Sequence, residues 1–172
     1  MSGKKELSAR GIIILALCAA ILFAQQVALQ WLPNIELVSI LIIIFTLNFK
    51  LRVFYIIYVF VFLQGAYYGF DLWWWVPYLY VWAILALTAL LFQKCRSPLI
   101  WAVISGTFGL VFGAFCALPH LITGGPAFAL AYWVSGIPFS LVHCAGNFVI
   151  ALTLWKPLMK LFDRLLKNNA VI

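Results

Sequence analysis

Apolar residues occupy this chain in long, almost uninterrupted runs, and short polar or proline-containing stretches separate them. A transmembrane helix needs about 20 mostly apolar residues, within a range of about 17–25. The runs therefore predict an all-α integral membrane protein with a single transmembrane domain over residues 1–172 and six membrane-spanning helices. These predicted helices cover roughly residues 11–32, 35–49, 53–70, 76–93, 98–118 and 138–155, of which the second is short for a span.

The segment between the last two predicted helices, residues 119–137, ends in an apolar stretch that is too short to cross a membrane. An apolar segment at membrane depth that does not span is tolerated only when it packs against protein. We therefore expect residues 119–137 to fold back over the outer mouth of the bundle as a cap. Pro138 suits the first turn of a helix, so the last predicted helix begins there and continues as an amphipathic tail to about residue 167.

The eleven basic residues fall into four clusters, and each interval between clusters has room for two membrane crossings. Cytoplasmic loops of membrane proteins carry an excess of Lys and Arg. The pattern therefore places all clusters on one side and predicts a multi-pass protein of the cell membrane with both termini in the cytoplasm. The clusters are Lys4, Lys5 and Arg10; Lys50 and Arg52; Lys94 and Arg96; and Lys156, Lys160, Arg164 and Lys167.

Composition agrees with a membrane protein, since 67% of the residues are hydrophobic and 9% are charged. Soluble domains are about 45–50% apolar and about 25% charged. The net charge of +7 is explained by loops that face anionic lipid, and it does not indicate nucleic-acid binding. The first apolar run is longer than the core of a signal peptide, which has about 7–15 residues, so we interpret it as an uncleaved first helix.

Polar side chains within the predicted helices are concentrated in the half that faces away from the basic clusters. Polar groups at membrane depth are costly unless they pair or face water or a ligand. A channel requires polar residues through both halves, and the inner half supplies few. The distribution predicts a cavity that is open to the outside and closed to the cytoplasm. The outer set is Gln25, Gln26, Gln30, Gln64, Tyr67, Tyr68, Tyr78, Tyr80, Ser140, His143 and Asn147.

Three of these residues, Ser140, His143 and Asn147, share one helical face because of their i, i+3, i+7 spacing. They either contact a ligand or form a hydrogen-bond cluster between helices, worth about 0.6–2 kcal/mol per bond. The outer acids Glu36 and Asp71 are either solvated loop charges or partners of a cationic group on a ligand.

Aromatic residues are frequent near the outer interface, above all in the run from Trp73 to Trp75. Trp and Tyr commonly form belts at the level of the lipid headgroups, and this run fits a belt. Tyr132 and Trp133 are better candidates for a wall that stacks on a flat ligand, since the capping segment has no span of its own to anchor.

Small residues repeat every four positions on two predicted helices. In lipid, such strips allow helix backbones to approach closely. The strip on the fifth helix is expected to pack the bundle, whereas the one on the first helix either packs the bundle or docks on another membrane protein. The strips are Ala16, Ala20, Ala24 and Ala28 on the first helix, and Ser105, Gly109, Gly113 and Ala117 on the fifth.

The sequence shows no catalytic motif, so we predict that the protein is not an enzyme. His120 and His143 lack the HExxH or paired-carboxylate context of a membrane metalloenzyme, and no Walker motif is present. The four cysteines lack metal-type spacing and are expected to be reduced. No cofactor or metal is predicted.

The chain resembles the S components of energy-coupling factor (ECF) transporters, the membrane subunits that bind substrate. The resemblance rests on 172 residues with six predicted helices, on the alanines at 16, 20 and 24, and on the Gly-x-Pro-Phe entry to the last helix at residues 136–139. It implies a vitamin or related heterocyclic micronutrient as substrate, bound from outside. It also implies a membrane T subunit and two ATPase subunits as partners, with ATP hydrolysis by those partners.

The resemblance further implies roles for individual residues. Ala16, Ala20 and Ala24 are expected to dock on the T subunit. An uncharged or weakly charged heterocycle is the expected ligand, in preference to a metal ion. The expected ligand contacts are Gln64, Tyr68, Tyr78, Trp133, Ser140, His143 and Asn147, with Asp71 as a candidate partner for a cationic group.

Two other functions remain open from the sequence. One is a stand-alone, tryptophan-rich membrane receptor that binds a tetrapyrrole or similar ring, as in a five-helix family whose termini lie on opposite sides. The other is an assembly or scaffold protein without a ligand.

Overall fold

The chain consists of helices and short connections in the computed structural model, which describes the backbone of residues 8–167 and the side chains of residues 8–165. No strand occurs within these residues, which confirms the predicted all-α class. Lys4 and Lys5 of the first basic cluster, and the side chain of Lys167, lie outside the described part, as do the two ends of the predicted domain 1–172.

Seven α-helices and one short 3-10 helix follow one another along the described residues. The hydroxyl of Ser8 accepts a hydrogen bond from the Gly11 amide and caps the first helix, and Pro98 occupies the first turn of the fifth. Gly69, with a φ of 95°, ends the third. The helices are α1 (Ala9–Leu29), α2 (Val38–Phe49), the 3-10 helix Lys50–Arg52, α3 (Val53–Tyr68), α4 (Trp75–Leu91), α5 (Pro98–Cys116), α6 (Leu118–Ser135) and α7 (Ile137–Lys167).

Four helical stretches in the described chain are long and apolar enough to cross a membrane. Helix α4 is also apolar but has only 17 residues. The longest stretch contains α2 and α3, which are separated at Lys50, where φ is 53°. Helices of this length and composition are typical of a membrane protein. The four stretches are Ala9–Leu29, Val38–Tyr68, Pro98–Cys116 and Ile137–Leu165.

Contacts between connections define one end of the bundle, which we call the basic end. Lys50 Nζ donates a hydrogen bond of 3.0 Å to Gln93 Oε1, so the α2–α3 and α4–α5 connections meet there. Nearby, the rings of Trp101 and Trp155 stack with centroids 5.0 Å apart, which brings the start of α5 to the second half of α7. The basic end therefore unites the basic residues of both connections with those of α7.

The opposite end, which we call the polar end, is formed by the α1–α2 connection (residues 30–37) and the α3–α4 connection (residues 69–74). Tyr68 at the end of α3 donates a hydrogen bond of 2.9 Å to Gln30 beyond the end of α1. The α1–α2 connection contacts α7 as well, through Glu36 and His143. The polar end thus gathers residues from both halves of the chain.

The small-residue strip of α5 packs directly against α7, which confirms its predicted role. A Cβ atom added at Gly109 would lie 2.7 Å from the backbone oxygen of His143, and one at Gly113 would lie 2.8 Å from Ser140 Oγ. At Gly109 the near atoms belong to the α7 backbone, so the absence of a side chain there allows the two helices to approach closely.

The alanine strip of α1 has a different environment, because all of its members are exposed on the outer face of the helix. The face that packs into the bundle carries Leu15, Cys18, Ala19 and Leu22, each at most 5% exposed. The strip therefore makes no helix–helix packing surface within the described chain. Its members are Ala16, Ala20, Ala24 and Ala28.

The segment predicted as a cap, residues 119–137, forms most of helix α6, and α7 begins at Ile137, one residue before the predicted start. Gly125 adopts a φ of 77° and bends α6 in its middle. The ring of His120, in the first half of α6, stacks on Tyr132 in the second half with ring centroids 3.9 Å apart. It also contacts Trp73 of the α3–α4 connection, with ring centroids 4.6 Å apart. Most of the remaining α6 residues are exposed.

Candidate ligand-binding cavity

A cavity of about 610 Å³ opens at the polar end between α1, α3, α4 and the α1–α2 connection. Small-molecule sites commonly have volumes of about 300–1,000 Å³ and combine apolar walls with a few polar groups. This cavity has both kinds of wall. It is lined by Gln26, Leu29, Gln30, Leu32, Pro33, Asn34, Ile35, Glu36, Gln64, Tyr68, Trp74, Tyr78, Trp82, Phe112 and His143.

One side of the cavity is a continuous row of aromatic rings. The row runs from Tyr68 through Trp74 and Tyr78 to Trp82, with successive ring centroids 6.1, 5.6 and 5.3 Å apart. Phe112 extends it, 5.6 Å from Trp82. The first three of these contacts are edge-to-face, a favourable arrangement for aromatic pairs. The row offers several ring faces and edges to a flat ligand.

The α1–α2 connection closes the opposite side and is held by hydrogen bonds. Asn34 has a φ of 60°, a left-handed conformation that Asn tolerates better than most residues. Gln25 Oε1 accepts a 3.0 Å hydrogen bond from the amide of Leu37, which ties the end of the connection to α1. The sharp turn and this tie leave Glu36 at the cavity and 13% exposed.

The Glu36 carboxylate is the centre of a hydrogen-bond network between α2 and α7. It accepts hydrogen bonds from the Ser39 hydroxyl at 2.6 Å and from the Ser39 amide at 3.0 Å. His143 Nε2 lies 3.3 Å from Glu36 Oε1. The side-chain amide of Asn147 donates a 3.1 Å hydrogen bond to the Ser39 hydroxyl. Residues 36 and 39 are thereby linked to α7 across more than 100 positions of sequence.

Three side chains that border the cavity carry buried polar atoms without a hydrogen-bond partner among the described residues: Gln26 Oε1, Gln64 Nε2 and Trp82 Nε1. The other side-chain atom of Gln26 is paired, because Nε2 donates 3.1 Å to the Tyr78 hydroxyl. A buried polar group without a partner costs about 1–3 kcal/mol. One acceptor and two donors around a single cavity are what a polar ligand could satisfy after small side-chain rotations.

A second cavity of about 360 Å³ lies beside the first, between α5, the end of α6 and the start of α7. Asn34, Phe112 and His143 border both cavities and form the partition between them. Ser140 and Tyr132 border only the second. The two spaces are therefore neighbours that share His143.

The structure brings most of the predicted ligand residues together. Gln64, Tyr68 and Tyr78 border the first cavity, His143 borders both, and Ser140 borders the second. Asn147 is buried behind them and holds Ser39. For the α7 face, the hydrogen-bond interpretation applies to Asn147, while His143 both bonds and borders the cavities.

Two predicted ligand residues, Asp71 and Trp133, border neither of these cavities. Asp71 Oδ1 accepts a 2.6 Å hydrogen bond from the amide of Trp73 and so stabilises the turn before α4. Trp133 is 42% exposed on the outer side of α6. Both residues are near the polar end along the chain, but local geometry directs them away from the cavities.

Sequence reasoning placed Gln26 and Gln30 in the outer half without choosing them, and it left Glu36 open between a solvated loop charge and a partner for a cationic group on a ligand. It assigned Trp74 to an interfacial belt, and it missed Trp82 and Phe112, which look like ordinary apolar residues of α4 and α5. A usable signal was the four-residue spacing of Trp74, Tyr78 and Trp82, which puts three large aromatic rings on one face.

The described residues contain no group of three or more His, Cys, Asp or Glu that could hold a metal ion. All four cysteines are free, as predicted.

Comparison of the chain with protein-family models, with curated proteins and with solved structures gave no match.

Proposed function

We propose that the protein is the substrate-binding subunit of an ECF-type importer, as its resemblance to S components implies. It captures a vitamin or related heterocyclic micronutrient from outside and delivers it through a membrane T subunit and two ATPase subunits. The partners hydrolyse ATP, and the protein itself is not an enzyme. The observation that carries this proposal is the cavity at the polar end, which combines an aromatic row with buried polar atoms that lack partners.

In this proposal the chain crosses the cell membrane six times and has both termini in the cytoplasm. The distribution of charge supports the orientation, because the connections at the basic end carry Lys50, Arg52, Lys94 and Arg96, whereas those at the polar end carry acids and no base. Basic connections face the cytoplasm in membrane proteins. The polar end and its cavity then face outside, where substrate is captured.

The exposed alanine strip of α1 supports a docking role. A strip of small residues lets a second helix approach closely in lipid, and no helix of the described chain uses it. In the proposal the T subunit packs on Ala16, Ala20 and Ala24. The cavity lies on the other side of the same helix, at Gln26, so docking and substrate binding use different faces of α1.

The direct test is to purify the protein from cells and identify the small molecule bound to it by mass spectrometry. We expect a heterocyclic compound in near-stoichiometric amount. Protein that carries no small molecule and shows no thermal shift with any vitamin would instead favour a scaffold without a ligand.

The docking role predicts a separation of effects for Ala20→Trp. The added ring blocks close helix approach, so uptake and co-purification with the T subunit should fall to background while ligand retention is unchanged. Ile21→Trp is the matched control, because Ile21 is 50% exposed and points about 100° away around the helix. Equal uptake by Ala20→Trp and Ile21→Trp proteins would contradict docking at the alanines.

The aromatic row favours one alternative, a stand-alone receptor for a tetrapyrrole or similar ring. The five-helix family that binds such rings has its termini on opposite sides of the membrane. Cysteines introduced at positions 5 and 168 can be labelled in intact cells with a membrane-impermeant maleimide. The importer proposal expects both to be protected, and labelling of only one would support the receptor.

A further inference from the structure

We propose that the cavity selects an aromatic ligand with a positively charged or N–H-rich nitrogen group, such as an amino-substituted or protonated nitrogen heterocycle, and that Glu36 binds this group. The inference rests on the proposed function, since it names the chemical class of the substrate. It also narrows the sequence-based preference for an uncharged or weakly charged heterocycle.

The first argument is the sign of the charge at the cavity. Glu36 is the only acid among the lining residues, and no Lys or Arg lines the cavity within the described part of the chain. The basic connections described by the structure are at the opposite end of the bundle. In a poorly solvated cavity a carboxylate attracts a cation and repels an anion much more strongly than in water. Apart from His143, which lies 3.3 Å from Glu36, no basic side chain lines the cavity in the described part of the chain, so the charge of the cavity disfavours a carboxylate or phosphate ligand.

The second argument is the remaining hydrogen-bonding capacity of the Glu36 carboxylate. Oε1 accepts from the Ser39 hydroxyl at 2.6 Å and lies 3.3 Å from His143 Nε2. Within the described residues Oε2 accepts only from the Ser39 amide, at 3.0 Å, and that amide is shared with Oε1 at 3.2 Å. A carboxylate has about four lone-pair positions. Oε2 can therefore accept a further hydrogen bond from a ligand N–H without breaking the link to α7.

The third argument is the aromatic row that borders the same cavity. Tyr68, Trp74, Tyr78 and Trp82 supply ring faces, and cations are attracted to such faces within about 6 Å of the ring centroid. The unpaired Gln26 Oε1 is a second acceptor for a donor on the ligand. A carboxylate, an amide oxygen and several aromatic rings together suit a flat cation or a ring with amino groups.

A structural role for Glu36 is the competing explanation, because its carboxylate also accepts from an amide in the first turn of α2. Stabilising that turn needs no contact with α7, yet His143 is 107 residues away in sequence and lies at hydrogen-bond distance. Glu36→Gln separates the two roles, since glutamine keeps one oxygen acceptor and the side-chain shape but removes the charge.

The experiment uses the purified full-length protein in detergent, freed of bound small molecules, and three isosteric probes. Benzamidine is a planar cation with N–H donors, benzamide is neutral, and benzoate is an anion. Isothermal titration calorimetry should show benzamidine binding about 10- to 100-fold more tightly than benzamide, the factor expected for a hydrogen bond to a charged group. Benzoate should bind most weakly.

In Glu36→Gln protein the ratio of benzamidine to benzamide affinity should fall to about one, because the charge is removed while the shape of the side chain is kept. Asp71→Asn is the matched control, because Asp71 is the other acid of the polar end but borders neither cavity, and the ratio should stay as in the unmodified protein. If Glu36→Gln protein does not fold, the ratio of benzamidine to benzamide affinity in the unmodified protein still decides whether the cavity prefers a cation.

Other outcomes overturn the inference, and they do so in distinguishable ways. Benzamide or benzoate binding as tightly as benzamidine, or a co-purified compound that is an anion without N–H donors, rejects selection by Glu36 and leaves the importer proposal standing. No binding by any probe, together with no co-purified compound, rejects both.

Discussion

The two ends of the bundle are built from the same apolar helices but differ in how completely their interiors are packed. Near the basic end the interior is filled: Trp101 stacks on Trp155, and Phe45 packs against Phe162 with ring centroids 5.4 Å apart. Trp101 Nε1 is also paired, since it donates to the backbone oxygen of Cys95 at 3.2 Å. At the polar end there is a 610 Å³ cavity with buried polar atoms that have no partner.

Under the proposed function, this difference assigns stability mainly to the basic end and ligand binding to the polar end. Dense apolar packing stabilises a fold, whereas unfilled space and unpaired polar groups lower its stability. Binding sites often retain such groups because a ligand satisfies them. Substitutions at the basic end should therefore change stability first, and substitutions at the polar end should change ligand affinity first.

The largest effect is expected for Phe45→Ala, which removes a fully buried ring between α2 and α7. Loss of a buried Phe side chain costs about 3–5 kcal/mol of the free energy of unfolding. Thermal unfolding in detergent should show this loss. Phe62→Ala is the control, because Phe62 is 61% exposed, and it should change stability little. Equal losses for both variants would contradict a packed basic end.

An intermediate effect is expected for Gly109→Ala. Gly109 packs against the backbone of His143, which borders the cavity, so this position affects both packing and the candidate site. The new methyl group would lie 2.7 Å from the backbone oxygen of His143, so α7 has to move away from α5. Overpacking costs about 1–3 kcal/mol, and the displaced His143 should weaken ligand binding as well. At Gly136 the same substitution meets its nearest atoms at 3.4 Å, an ordinary contact. If Gly109→Ala matched Gly136→Ala in unfolding and ligand retention, the close packing of α5 on α7 would be wrong.

The smallest effect on stability is expected for Gln64→Leu, which replaces a buried side chain whose Nε2 has no partner. Removing an unsatisfied donor should leave stability unchanged or raise it by less than the loss expected for Gly109→Ala, while ligand affinity should fall. Gln25→Leu is the matched comparison, because both polar atoms of Gln25 are hydrogen-bonded, and this variant should lose stability. A stability loss in Gln64→Leu protein as large as that of Gln25→Leu would contradict an unpaired Gln64 amide at the cavity.

The apolar runs predicted the helical class and most helix positions, because each helix that is long enough to span a membrane occupies one continuous apolar run. They did not predict that residues 118–135 form a helix, because Gly124, Gly125 and Pro126 suggest a break in the sequence. In the structure Gly125 supplies a bend with φ 77°, and helical structure resumes beyond it. Glycine and proline thus marked the position of a kink and not the absence of a helix.

Site residues that lie on one face of a single helix could be predicted from their spacing. Site residues whose position depends on the tertiary fold could not. The face of Ser140, His143 and Asn147 follows from helical geometry alone. Glu36 could not be assigned, because its place at the cavity depends on the turn at Asn34 and on contacts with a helix that is distant in sequence. Asp71 has the same chemistry, yet its carboxylate is occupied by the amide of Trp73.

Helix α1 has a consequence for how binding events communicate. One face of this single rigid element carries the exposed Ala20, and another carries Gln26, whose amide holds the Tyr78 hydroxyl at the cavity. In the importer proposal, a partner that binds the exposed alanines and tilts α1 would also displace the Gln26–Tyr78 hydrogen bond. Thermodynamic linkage then requires reciprocity: whatever factor such a protein imposes on ligand affinity, the ligand imposes on the affinity for that protein. Under the importer proposal, occupancy of the cavity would thus be linked to the affinity of a partner for the exposed face of α1.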